Sequence, residues 1–595
     1  KLKRKLFQSD DYAVAVIIML LPVGVGILHA LCSVKNETRD EYMFGGHNMP
    51  IVLVTLSTFM KFVVSNLMID LLIIIIFSII IIAMPACRYS LSHNLHEELS
   101  VLSNPPCLFG LPAAGVIHPP SCLYKSVALR LFMTALSMIR NVGVQALILV
   151  LPALALKACI DMSIRVSLVL LGAVTIVYTA LGGIKSVIIV DAFQTTIVLI
   201  GTFAYMIQAI IKVGSFHDVW RISGEGGRLN LHKVTLDPRT RHTHWSLVIG
   251  YTFLWSINSY GQASLQRINS IETERGNKIS YLMSVPLILI FGLMNCVLGL
   301  CIYAYYTVKG CGPYQAGIIN NKNQIAPYFV HTALDDVSGA GGMYFGILCS
   351  ASLSALASGI NAMAANTVQD FLSRPLEHVK EKTIVMITKA FVLVYGALSV
   401  GTAYFISSWI EHPATEIVNA FFGIFGSPVL GVVVLGASVP WANKYGAFAG
   451  ALITLGINLC MGLGHYSEQN FPEMLPPIST KNCCSGNFND YEKTEAFNIC
   501  YNNGSKEGLM STTFNNSVTS SYDIQDKSKE AYFIFQISYE WYSVIGCCLC
   551  IVISTIVSFF TKAKPDENGR FSAYSNSTDA QYIYPFLRRY WGLED

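Results

Sequence analysis

The sequence predicts an all-α polytopic membrane protein, and three observations carry that prediction. Of 595 residues, 53% are hydrophobic and only 13% charged, with a mean hydropathy of +0.49, which excludes a water-soluble globule of this length. The apolar residues fall in runs of the length a membrane helix needs, about 20 residues. Glycine and proline recur inside those runs while charges are few, the pattern of helices that pack and break at membrane depth.

The runs lie near 11–32, 49–86, 128–157, 163–182, 186–211, 246–264, 280–306, 341–365, 387–409, 416–438, 445–463 and 538–561. The first lacks the short core and small-residue cleavage site of a signal peptide and reads as a retained span. The run 49–86 holds one span or two, for a total of twelve or thirteen. TALGGIKS (179–186) joins two spans through a glycine turn, and GIFGSPVLG (423–431) interrupts another at Pro428; both also fit ordinary helix punctuation.

Short loops rich in Lys and Arg face the cytoplasm. Loops 266–279 (Arg267, Arg275, Lys278) and 372–389 (Arg374, Lys380, Lys382, Lys389) are separated by two spans and agree. The expected organisation is a transmembrane core over 1–463, an outer loop over 464–537, a last span over 538–561 and a cytoplasmic tail over 562–595, in the plasma membrane. The outer loop offers glycosylation sequons at Asn503 and Asn515. It also holds Cys483, Cys484 and Cys500, among which one disulfide is expected. Cys296, Cys301, Cys349, Cys547, Cys548 and Cys550 lie in apolar spans and read as packing; no spacing indicates a metal other than a coupling ion. The net charge of +3 gives no basis for a nucleic-acid partner; the lipid bilayer is the expected one.

Ser350, Ser354, Ser358 and Asn361 share one helix face inside the run 341–365. Small polar residues pack helices and back-bond to the preceding turn, and the same stripe of oxygens suits a dehydrated monovalent cation. Asp191 is the sole acid in its span and is a site candidate by default, placed near an inner mouth where it attracts a departing cation, or else merely wet at the span's end. Gln262 and Gln266 stand one turn apart and line a polar path or mark the interface, while Arg267 reads as a headgroup anchor.

The stretches YTALGGIKSVIIVDAFQ (178–194), QRINSIETERG (266–276), SGINAMAANTVQDFL (358–372), GSPVLGVVVLG (426–436) and SYEWYSVIGC (538–547) resemble the sodium/solute symporter family, in its branch of sodium-coupled monocarboxylate, multivitamin and iodide transporters. The resemblance implies a LeuT-like core of two inverted five-helix repeats with extra flanking helices, Na+ as coupling ion and no organic cofactor. It places two adjacent hydroxyl ligands for sodium on the eighth core helix, at positions matched here by Ser354 and Ala355. Ala355 lacks the hydroxyl, leaving Ser354 with Ser358 as the second candidate.

After GGHNMP (45–50) the family continues into a small-residue break, where this chain reads TFMKFVVSNLMIDLLIIIIFSIIIIAMP (58–85). Lys61 falls near the ion position. Either its ammonium takes the cation's place, or 57–122 is an altered segment and Lys61 snorkels to an interface; the second is simpler. The expected function is sodium-coupled symport of a small organic anion, a monocarboxylate or a carboxylated vitamin such as biotin or pantothenate. The alternatives are an iodide or other small-anion symporter and a transport-incompetent scaffold. An enzyme is not expected, because the spans hold no paired catalytic carboxylates, metal cluster or nucleophile elbow.

Overall fold

A helix bounded by lipid on one side and by other helices on the rest is apolar nearly all round and keeps its few polar groups for the interior. The computed structural model follows that rule across residues 9–33, 38–63, 124, 126–160, 162–229, 237–240, 242–243, 245–259, 261–319, 322–407, 414–439, 441–467, 477–480, 483 and 533–561. Among these described residues no strand occurs, and nine helices are long and apolar enough to cross a membrane.

In chain order the helices are α1 (Ser9–Ser33), α2 (Arg39–Phe44), α3 (Ile51–Val63), α4 (Val127–Ile160), α5 (Ile164–Val213), α6 (Phe216–Glu225), α7 (Tyr251–Ser259), α8 (Gln262–Asn269), α9 (Glu274–Lys309), α10 (Ile325–Ala333), α11 (Ala340–Asn366), α12 (Glu381–Ile406), α13 (Ala414–Ser438), α14 (Lys444–Ser467) and α15 (Tyr542–Phe560). The second half of α5 shows the two faces clearly. Ile200, Phe203, Ile207 and Ile211 form an exposed stripe, while Val198, Thr202, Tyr205 and Ala209 are buried. α5 and α11 are the central pair, flanked by α1, α3, α4, α9 and α12, while α14 and α15 pack on α13 to one side.

α5 is 50 residues long, about 75 Å if straight and too long for one crossing. Gly183 breaks it with φ 55 and ψ −154, so the glycine turn anticipated in TALGGIKS joins two spans. A Cβ there would stand 2.6 Å from the Tyr42 carbonyl oxygen, and α2 fills that space: the Tyr42 hydroxyl donates to the Thr179 and Ala180 carbonyls at 3.4 and 3.3 Å.

Three expectations are corrected. α13 runs unbroken through Pro428; the glycines around it serve close approach, Gly423 receiving Tyr542 and Gly431 receiving Cys550. The run 246–264 is not one helix: a π turn (Ser246–Gly250) leads into α7, and the chain is re-aimed through Gly261 before α8. Among the described residues Cys483 is bridged to Cys311, just beyond the left-handed Gly310 that ends α9, and so not to Cys484 or Cys500; those two lie outside the described residues. Of the run 49–86, only residues 49–63, with α3, fall within them.

Candidate functional site

The break before α8 positions the site. It turns the short helix inward, so that Arg267 enters the bundle instead of meeting headgroups; Arg267 is 1% exposed and Asp191 0%. The headgroup-anchor expectation for Arg267 is thereby overturned, and Asp191 is not exposed to solvent. Arg267 Nη2 donates to Asp191 Oδ2 at 2.8 Å and to Ser358 Oγ at 2.5 Å. Its Nε donates to Ser57 Oγ at 2.7 Å, and its Nη1 to the Ala263 carbonyl at 2.8 Å.

The carboxylate is equally well engaged. Ser57 Oγ donates to Asp191 Oδ2 and Ser354 Oγ to Asp191 Oδ1, both at 2.5 Å. Ser358 Oγ also back-bonds to the Ser354 carbonyl at 2.9 Å. Four elements meet here: α3 brings Ser57, α5 Asp191, α8 Arg267 and α11 the two serines. One carboxylate and three hydroxyls form an all-oxygen set, the donor chemistry of a hard cation, and in this arrangement a guanidinium holds it.

The rest of the stripe divides. Ser350 is buried and its hydroxyl has no hydrogen-bond partner, whereas Asn361 Nδ2 donates to Gln266 Oε1 at 3.3 Å. Gln262 Nε2 donates to Gln369 Oε1 at 3.4 Å, so both glutamines face the interior against α11 and the turn after it. Ala355 packs on the apolar cluster that contains Phe59 and Met60. The Lys61 side chain, Asn503 and Asn515 lie outside the described residues.

One residue went unnoticed in the sequence. Arg140, midway along α4, is 4% exposed. Its guanidinium sits over the Phe422 ring, 5.4 Å from the centroid, and Nη2 reaches only the neighbouring Asn141 Oδ1 at 3.3 Å. Nε has no hydrogen-bond partner, and among the described residues no carboxylate pairs with it. A side chain at Gly426 of α13 would meet Arg140 Nη1 at 3.2 Å and Ile257 of α7 more closely still. Arg140 therefore stands where α4, α7 and α13 converge. The signal was an arginine at the centre of the run 128–157, the same rule that picked out Asp191.

A model of the sodium:solute symporter family matches residues 123–454. The chain belongs to that family. Sodium-coupled monocarboxylate transporter 1 of Homo sapiens is 27% identical over 561 residues, spanning 93% of this chain and 88% of its own length. The sodium-dependent multivitamin transporter of Oryctolagus cuniculus is 26% identical, spanning 93% of this chain and 83% of its own. A solved structure of a Na+-coupled sialic acid symporter, in a substrate-bound outward-open state, superposes with a TM-score of 0.66 at 18% identity, covering 93% of this chain and 98% of that one. That likeness shows the fold: the LeuT-like architecture expected from the sequence is the architecture of this multi-pass membrane protein, and the family to which the chain belongs is one of sodium:solute symporters.

Proposed function

We propose that this symporter carries a small carboxylate, and the observation that supports the choice is Arg140. A guanidinium out of water and without a counter-charge is costly, and a planar, bidentate carboxylate is its natural complement. Phe422 beneath it and Ile257 beside it supply the apolar wall that a short aliphatic or vitamin-sized acid requires. The substrates in the relatives' names, monocarboxylates and multivitamins, fit that chemistry. Iodide has no second oxygen for the fork and is the weaker candidate.

Sodium is assigned to Asp191, Ser354, Ser358 and Ser57, with Gln262, Gln266 and Asn361 along the path leading from them. The ion and the Arg267 guanidinium compete for the same oxygens, so sodium entry releases Arg267 and α8 from α5 and α11. An ion that binds one conformation better than the other shifts their balance by that difference, and its inward gradient then supplies the work. The basic loops set the orientation, with the tail 562–595 cytoplasmic, and 464–537 outside carrying glycans at Asn503 and Asn515 at the plasma membrane. No organic cofactor and no enzymatic step enter this scheme.

A second possibility, a transport-incompetent scaffold, draws on the same pair, because Arg267 already satisfies Asp191 without any ion. Uptake of labelled butyrate, biotin, pantothenate and iodide into cells displaying the chain at their surface separates the two. Sodium-dependent entry of one of the acids is the expected result. Surface protein that moves none of the four overturns symport of this substrate class.

A further inference from the structure

Arg267 is held from behind as well as from in front. Its helix α8 ends at Asn269, and the residues two and three positions beyond Arg267 are both gripped by the turn between α2 and α3. His47 Nδ1 donates to the Asn269 carbonyl, and the Met49 amide donates to the Ser270 carbonyl at 2.9 Å. Ser270 is fully buried, and its hydroxyl donates to the carbonyl of Arg267 itself at 2.6 Å. α8 has 8 residues and no capping side chain at Gly261, so it has little of its own to fix its direction. The bonds at its far end set the direction from which the guanidinium reaches Asp191.

The grip comes from an uncommon backbone. Gly45, Gly46 and His47 follow one another with φ 72, 66 and 58, and His47 is the one non-glycine residue with a positive φ among the described residues. A Cβ resists that region, so a histidine kept there is held by its surroundings and not by local preference. Its ring lies along Phe44, with centroids 5.9 Å apart and 13° between the planes, and Nδ1 faces the end of α8. The turn is anchored in its own right by α2, which packs on α5, α8 and α12. Glu41 pairs with Lys185, two residues past the break at Gly183, while the buried Tyr42 lies under Lys389 of α12, 5.2 Å from ring centroid to Nζ. A Cβ at Gly45 would stand 3.5 Å from Ser270 and 3.6 Å from Lys185, so α2, the end of α8 and the α5 turn meet at one point.

We propose that His47 is a positioning residue for the sodium site, holding α8 so that Arg267 stays on Asp191, and that the same bond carries displacement of Arg267 to α2 and the Gly183 turn. The inference rests on the reading that sodium and Arg267 compete for Asp191. α8 is then the element with two arrangements, biased by the cation at one end and by the α2 turn at the other. The turn lies among the basic loops 266–279 and 372–389, so occupancy of a site in the interior is reported at that end of the bundle. The direction of the effect sets this role apart from a structural one: a weaker grip makes Arg267 easier to displace, and sodium binds more tightly.

His47→Gly tests the bond without straining the chain, because glycine accepts the left-handed backbone and lacks the donor. The sodium concentration for half-maximal uptake is expected to fall about threefold, the scale of one ordinary hydrogen bond. His47→Asn, which tolerates the same φ and keeps a donor, is expected to return it part of the way. Hydrogen exchange of the full chain in lipid nanodiscs, with sodium chloride replacing choline chloride and no substrate present, gives a reading independent of transport. Sodium is expected to speed exchange in 262–270, 39–49 and 179–186 together, and Arg267→Gln to show the fast pattern without sodium. A sodium response in 262–270 that stops short of 39–49, or a His47→Gly chain whose sodium requirement is unchanged or raised, overturns the proposal and leaves the competition for Asp191 standing. No sodium response in 262–270 overturns that competition, and the proposal with it.

Discussion

Two arginines stand at membrane depth and have opposite surroundings. Arg267 donates to a carboxylate, two hydroxyls and a carbonyl; Arg140 has a neighbouring amide and the face of a ring. Both are buried, so burial alone does not separate them. What separates them is what the fold has already provided. A fully engaged cation is part of the fold's own balance of charge, whereas Arg140 keeps an unbonded Nε and, among the described residues, no carboxylate partner, which is what the proposed carboxylate would supply.

The largest effect is expected where that balance is broken from one side. Asp191→Ala leaves Arg267 buried without its counter-charge, a change that costs about 3–5 kcal/mol, read as a sharp fall in melting temperature and in surface delivery. Arg267→Gln leaves the carboxylate in the same position. The double variant Asp191→Asn with Arg267→Gln removes both charges and is expected to melt above either single one, because the two sites act as a unit. Additive losses in that cycle would show that the pair is not what holds α5, α8 and α11 together.

The membrane spans were legible because lipid imposes a length on each apolar run, and the Gly183 turn because two spans that close require one. Asp191 was legible as an acid in an apolar segment. Its partner was not: Arg267 stands at the end of a run beside a basic loop, which is how a headgroup anchor reads, and only the break around Gly261 turns it inward. One glycine is too small a signal to place that break, and Pro428 is a misleading one, since α13 passes through it. The Cys311–Cys483 bridge spans 172 residues of sequence, and no local pattern links its ends. The missing hydroxyl at Ala355 was legible; its packing on an apolar cluster drawn from several helices, Phe59 and Met60 of α3 among them, was not.

The next effect falls on transport rather than on folding. Arg140→Gln removes a charge-assisted fork worth about 2–3 kcal/mol to a bound carboxylate, or about 30- to 150-fold in apparent substrate affinity, while the melting temperature holds or rises. Arg140→Lys is expected to recover only part of the affinity, since an ammonium is a point charge and not a planar fork. Uptake kinetics and melting curves on the same preparations decide the matter. A variant that melts as poorly as Asp191→Ala and transports normally per folded molecule would make Arg140 a second structural cation, and the contrast between the two arginines would collapse.

The smallest effect locates sodium within the paired site. If the ion uses the oxygens that Arg267 now holds, Ser358→Ala removes one ligand and raises the sodium concentration for half-maximal uptake about fivefold, the equivalent of about 1 kcal/mol. Ala355→Ser restores the second hydroxyl of the family pattern, but places it against the apolar cluster to which Phe59 and Met60 belong. It is therefore expected to cost about 1 kcal/mol in stability and to leave the sodium requirement unchanged. The opposite ranking, with a strong gain in sodium affinity from Ala355→Ser and none lost from Ser358→Ala, would move the ion away from Asp191 to the α3 side of α11. Arg267 would then be a permanent counter-ion, not a competitor of sodium.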